Sequence, residues 1–125
     1  MKIKEVMNKA FAVDHDISIK EAAKILSENN IGSLIAVKGS KITGIITEKD
    51  IIENISNSGK KISSVMAKKV VTVNQEEDID EAAMIMAKNK IKRLPVVDKN
   101  GDLLGIITAT DLLANSDELN EDFMF

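Results

Sequence analysis

The chain has no cysteine, no tryptophan and no tyrosine, and only one proline and three phenylalanines among 125 residues. Without cysteine, neither a disulfide nor a thiolate zinc site can form. That composition fits a reducing cytoplasm. With aromatics at 2%, burial must come from Ile, Leu, Val, Met and Ala. Long apolar runs are also missing. The longest stretches are a few residues, as at Ser33–Val37, far short of the roughly 20 that a membrane span needs. Charge of one sign does not dominate: the net charge is −3, so no broad basic field is expected and nucleic acid is not an expected partner. The N-terminus, MKIKEVMNKA, carries no apolar secretory segment. A soluble, cytoplasmic protein without membrane contact is expected. What is present is ordinary for a globular protein, with 44% hydrophobic and 30% charged residues. The length suits one compact domain or two small subdomains sharing a core.

The chain repeats itself. Val6-Met7 matches Val65-Met66, Glu21-Ala22-Ala23 matches Glu81-Ala82-Ala83, and Gly44-Ile45-Ile46-Thr47 matches Gly105-Ile106-Ile107-Thr108. Asp50 matches Asp111. The offset grows from 59 (Val6 to Val65) to 60 (Glu21 to Glu81) to 61 (Gly44 to Gly105). Each step is one inserted residue, near Lys68-Lys69 and in the turn Asp98–Gly101, and turns tolerate insertion best. Two copies at this period point to a pseudo-twofold pair and not to a solenoid.

Each copy reads as β-α-β-β-α, an α/β (α+β) unit. A short extended piece (Ala10–Val13; Val70–Val73) precedes a helix. Ser18 with Glu21, and Asp78 with Glu81, have the spacing of an N-cap and its reciprocal partner. Ala22, Ala23, Ile25 and Leu26 recur with helical spacing, as do Ala82, Ala83, Ile85 and Met86. The helices should end near Asn29-Asn30 and Asn89-Lys90. Strands follow at Leu34–Val37 and Ile42–Ile46, and at Leu94–Val97 and Leu103–Ile107. Asn100-Gly101 is a hairpin signal. A last helix starts at Thr47 or Thr108. The polar stretch Glu53–Ser63 reads as a connector with a break at Ser58-Gly59. The expected domains are 1–59 (first unit with connector), 60–115 (second unit) and 116–125, an acidic tail with an apolar tip at Phe123-Met124-Phe125.

With these residues in view, the run KIKRLPVVD from Lys90 to Asp98 and GIITATD from Gly105 to Asp111 resemble a CBS-domain pair, over Val6 to about Ala114. The first copy is a variant. It has Ser33-Leu34-Ile35 where the second has Arg93-Leu94-Pro95, and Lys38 where the second has Asp98. The resemblance implies two units packed sheet against sheet with pseudo-twofold symmetry, and clefts between them that take AMP, ADP, ATP or S-adenosylmethionine. It also implies a homodimer, and a stand-alone regulatory module that acts on some other protein.

Gly-Ile-Ile-Thr-x-x-Asp has two readings. The structural one makes Thr47 and Thr108 N-caps, with Asp50 and Asp111 in the first helical turn complementing the dipole. The functional one has the carboxylate accept a ribose diol, with the Thr hydroxyl adding a contact and free backbone N–H groups favouring phosphate. The resemblance favours ribose. Lys92-Arg93 is either a solvated pair before a buried strand or a phosphate clamp built on the planar Arg fork. The resemblance implies one cleft of Thr47 and Asp50 with Ile91, Lys92 and Arg93, with added charge from Lys68 and Lys69. Met66, Val70 and Ile91 are its adenine candidates. A second cleft would combine Thr108 and Asp111 with Ile31, Gly32 and Ser33 and the stretch from Met7 to Ala10, with Lys9 as its obvious cation.

Other signals are thin. His15, between Asp14 and Asp16, reads as a solvated loop histidine and not as a metal ligand. Gly39-Ser40-Lys41 lacks the Gly-x4-Gly-Lys spacing of a P-loop. Met84 and Met86 read as core or dimer contacts. No Ser/His/Asp set, Cys nucleophile or metal cluster stands out, so no enzyme, no catalytic cofactor and no metal are expected. The alternative to a nucleotide sensor is a dimeric adaptor that binds a protein partner without nucleotide.

Overall fold

A computed structural model describes residues 1–115, in two compact units, one continuous and one split. The continuous unit is Ala10–Val70. The split unit joins Met1–Lys9 to the chain from Val71 onward. The acidic tail and its apolar tip lie outside the described residues.

In the continuous unit, β1 (Ala12–Asp14) leads to α1 (Ile19–Asn29), then β2 (Ser33–Lys38), β3 (Lys41–Thr47) and α2 (Glu48–Glu53). The sheet order is β1-β2-β3, parallel and then antiparallel. The α1 start matches its sequence signal. Ser18 Oγ accepts from Glu21 N at 3.0 Å, and the Glu21 carboxylate reaches back to Ser18 N at 3.3 Å. Ile19, Ala22 and Leu26 share one face and are buried. They pack on Leu34, Ala36 and Ile46 of the sheet. Asn30, left-handed at φ 52°, stops the helix.

The split unit repeats this plan with β4 (Val73–Asn74), α3 (Ile79–Asn89), β5 (Arg93–Val97), β6 (Leu103–Thr108) and α4 (Ala109–Asn115), in sheet order β4-β5-β6. Ile79, Ala82 and Met86 pack on Leu94, Val96 and Ile107. Here the cap differs from the expected reciprocal pair. Asp78 Oδ1 accepts from Asp80 N at 3.1 Å, while Oδ2 faces the chain's terminal ammonium at 3.4 Å. Met84 points outward, and Met86 is core.

Two further elements are short 3-10 turns at Ile3–Glu5 and Ile62–Ser64. Each puts one fully buried isoleucine, Ile3 or Ile62, beneath its sheet. The connector expected at Glu53–Ser63 is therefore not purely a linker: its Ile62 belongs to the core, and a further 3-10 turn spans Ile55–Asn57. Ile62 N donates to Ile17 O and Ile19 N donates to Lys60 O. In the split unit, Ile3 N donates to Glu77 O and Ile79 N to Met1 O. The first nine residues are thus bonded to the segment that precedes α3. The expected domains cut at residue 59, whereas the compact units cut at residues 9 and 70. The sequence repeat and the compact body are out of phase because each body takes its opening 3-10 turn from the chain upstream of the other.

Candidate ligand-binding site

The Thr-x-x-Asp signal sits where a β-strand runs into a short helix. At Thr47 the side chain caps α2, and Asp50 returns the bond: its Oδ2 accepts from Thr47 N at 2.9 Å and from Thr47 Oγ1 at 3.1 Å. At Thr108 the same pair recurs, with Asp111 Oδ2 accepting from Thr108 N and Oγ1, both at 2.9 Å. The capping reading is therefore physically present in both units. It also fixes the side chain, since two donors hold Oδ2 and neither is spent on Oδ1. Both aspartates are partly buried. Several of the N–H groups expected to be free for phosphate at this helix start are already engaged. Asp50 N is turned to Thr47 Oγ1, and Glu48 N donates to Gly32 O at 3.1 Å. Ala109 N likewise donates to Lys92 O at 2.8 Å.

A second strand start borders each aspartate. Ser33 pairs with Thr47, and Arg93 pairs with Thr108, so each pair shares a sheet face. Ile31, Gly32 and Ser33 therefore lie beside Thr47 and Asp50 within the continuous unit. Ile91, Lys92 and Arg93 lie beside Thr108 and Asp111 within the split unit. Arg93 is half-buried and Lys92 exposed.

The third border is an extended segment crossing the last strand of each sheet. Ala67 bridges Ile45, with N–H···O bonds of 3.0 and 2.9 Å in the two directions. Asn8 bridges Ile106, at 2.8 and 2.9 Å. Glycine makes the crossing possible. A Cβ on Gly44 would stand 2.6 Å from Met66 Sδ and 2.8 Å from Ala67 O, and one on Gly105 would stand 2.6 Å from Asn8 O. Contacts that short are forbidden, so only glycine lets the segment lie against the strand. Met7 sits with Gly105, and Met66 with Gly44. Met66 is buried in the core, so its apolar surface is largely taken by its own unit. Val70, Ile91 and Ala10 keep partial exposure, and Lys68 and Lys69 are exposed.

The sequence reasoning set the stretch from Met7 to Ala10 with Asp111 but did not single out Asn8 within it. Its Nδ2 donates to Asp111 Oδ1 at 2.9 Å. The signal was available, since Asn8 follows Met7 as Ala67 follows Met66 in the repeat.

Two other features stand apart. A groove of about 370 Å³ between α1 and α2 is lined by Ala23, Leu26, Ile31, Ile51 and Ile52 among others. Asp14, His15 and Asp16 each offer one ligand atom within 4.8 Å of the others. Those groups are already engaged: Asp14 Oδ1 accepts from Asp16 N at 2.8 Å, and Lys61 Nζ stands 3.4 Å from Asp16 Oδ1. Among the described residues, no helix is long and apolar enough to cross a membrane.

The family model for the CBS domain matches twice, at residues 3–57 and 62–118. The CBS domain pair of protein MJ0100, solved in complex with 5′-methylthioadenosine and S-adenosyl-L-methionine, is 35% identical, with a TM-score of 0.83 over 91% of this chain and 94% of that one. The cytosolic domain of the Mg2+ channel MgtE, solved with ATP, is 27% identical, with a TM-score of 0.82 over 90% of this chain and 48% of that one. A hexameric CBS-CP12 protein from bloom-forming cyanobacteria is 28% identical, with a TM-score of 0.80 over 94% of this chain and 68% of that one. No curated protein sequence matches. Two family matches in tandem, each laid over a β-α-β-β-α plan with a Thr-x-x-Asp turn at the end of its sheet, place this chain in the CBS-domain family as a CBS-domain pair.

Proposed function

We propose that this protein is a regulatory module that binds an adenosine-containing ligand and performs no bond chemistry. The observation that carries the reading is Asp50. Its carboxylate is locked by Thr47 through Oδ2, while Oδ1 accepts from no group among the described residues. A partly buried, oriented, unengaged carboxylate oxygen is what a ribose diol needs. The relative at 35% identity carries two adenosyl compounds. Thr108 and Asp111 form the second capped carboxylate, whose Oδ1 already accepts from Asn8. Val70 and Ile91 are proposed as apolar contacts of the ligand at Asp50, with Met66 as support from the core, and Met7, Ala10, Ile31, Gly32 and Ser33 as contacts of the ligand at Asp111. Lys68, Lys69, Lys92 and Arg93 are the proposed partners for phosphate. Ligand binding would bias the protein between two packings, by no more than the ligand's own preference between them.

We also propose a cytoplasmic homodimer formed through the helices, with a regulated protein as reader. Ile52 at 70% and Ile55 at 67% exposure give α2 and the turn after it an apolar surface beside the α1–α2 groove, and the hexameric relative shows that a related chain assembles. Native mass spectrometry reads ligand mass, ligand number and subunit number together.

The test is thermal melting with S-adenosylmethionine, 5′-methylthioadenosine, AMP and ATP. A ligand at 100 times its Kd stabilises the folded state by about 2.7 kcal/mol, which is a shift of several degrees. Asp50→Asn, which keeps a capping oxygen, should remove most of that shift. If none of the four ligands moves the melt, the sensor reading fails and the adaptor reading replaces it.

A further inference from the structure

The two aspartates differ in how many acceptor sites they still offer. A carboxylate has about four lone-pair positions. At Asp50 the cap from Thr47 fills two, both on Oδ2. At Asp111 the cap from Thr108 fills two, and Asn8 Nδ2 fills a third, on Oδ1, at 2.9 Å. A ribose diol brings two donors. Asp50 can receive both. Asp111 can receive both only by giving up Asn8.

The difference is confined to one side chain. Asn8 and Ala67 occupy the same place in the two units, each bridging the matching isoleucine, Ile106 or Ile45, through a two-way backbone pair. Each crosses beside a glycine, Gly105 or Gly44, that has no room for a Cβ. The backbone path is therefore pinned in both cases, and what reaches the aspartate is decided by Asn against Ala. Asn8 is exposed, so it can swing to water when displaced. It competes with ligand without being part of the core.

We infer that Asn8 is a built-in competitor for the ribose position at Asp111, and that it makes the two adenosyl positions of this chain unequal, with Asp50 filled first. The inference rests on the sensor reading above. Removing Asn8 frees one charge-assisted hydrogen bond. At a solvent-exposed site that corresponds to roughly a 3- to 10-fold change in affinity.

Adenosine and 2′-deoxyadenosine are the probes, titrated by calorimetry against the full chain in an Asp50→Asn background, which isolates Asp111. Asn8→Ala should tighten adenosine about 3- to 10-fold. It should also widen the gap between adenosine and its deoxy analogue, because the second hydroxyl then finds an acceptor. A merely structural role for Asn8 would not move that ribose-to-deoxy ratio. The reciprocal change, Ala67→Asn in the otherwise unaltered chain, should weaken adenosine at Asp50 by a similar factor. If Asp50→Asn abolishes one binding event but neither Asn8→Ala nor Ala67→Asn alters affinity or the ratio, the competitor role is wrong and the sensor reading survives. If no variant binds either nucleoside or any of the four larger ligands, both are wrong.

Discussion

The continuous unit pairs three residues of β1 with β2, whereas the split unit pairs only two of β4 with β5. The residue responsible is Pro95. In the continuous unit Ile35 N donates to Phe11 O at 3.0 Å, just ahead of the paired residues. Pro95 stands at the matching place, 60 residues on, and has no N–H to give. Proline in a central strand is unusual. Here it is tolerated because the lost bond falls at the frayed entrance of β4, and its ring is fully buried. Two copies of one plan can therefore drift apart in ladder length while keeping their core, and the drift collects around the proposed ligand positions. In the aligned copies Ser33 corresponds to Arg93, Ala67 to Asn8, and Ile35 to Pro95.

The largest expected effect tests whether the split unit depends on its first nine residues as the continuous unit depends on its last nine. Ile3→Ala and Ile62→Ala each empty a fully buried site and should each cost about 2–5 kcal/mol. Equal losses in urea melts would confirm the equivalence. A near-zero loss for Ile3 alone would mean that the opening turn only rests on its unit. Next comes the strand crossing. Gly105→Ala drives a Cβ to 2.6 Å from backbone oxygen, whereas the nearest atom for Gly44→Ala is the flexible Met66 Sδ, with Ala67 O at 2.8 Å. Overpacking of this kind costs about 1–3 kcal/mol, and Gly105 should be the worse of the two. Smaller again is the helix stop. Lys90 holds φ 55° where Asn30 holds φ 52°, and asparagine tolerates the left-handed region better than lysine. Lys90→Gly should stabilise by about 0.5–1 kcal/mol and Asn30→Gly by less, read from the same melts.

The smallest effect separates the units by pH. Hydrogen bonds from Lys2 and Lys4 hold the Glu76 carboxyl below its ordinary value of 4.5. Its stabilising contribution is present above pH 4.5 and fades as pH falls through the depressed folded value. Glu76→Gln should therefore flatten the acid limb of the stability profile slightly, and more at low salt than at high. An unchanged limb would show that the Lys2–Glu76 and Lys4–Glu76 pairs, at 2.9 and 3.0 Å, contribute nothing measurable.

Much of this fold could be read from the chain, because its signals are local. Helix α1 announces itself by Ser18 and Glu21 and by the spacing of Ala22, Ala23, Ile25 and Leu26. The Thr-x-x-Asp turn was readable too in its capping sense, and its binding sense is the one proposed above. What escaped was short or distant. A three-residue 3-10 turn has no periodicity, so Ile3 and Ile62 look like stray apolar residues in polar stretches. The bond from Asn8 to Asp111 spans 103 positions, so only the alignment of the two copies, and no local spacing, points to it. Nor does local pattern reveal that Asp78 would turn one oxygen to the terminal ammonium.

The division of the split unit has a consequence for synthesis. Residues 1–9 are made before residues 10–70, yet their partners Gln75, Glu77, Ile79 and Ile106 are made only after the whole of that stretch. The continuous unit can close while translation proceeds. The opening segment, with its apolar Ile3, must wait unpaired until the rest arrives. Closing such a long detour is slow compared with forming neighbouring contacts, so the last step of maturation should be the return of the N-terminus to its place.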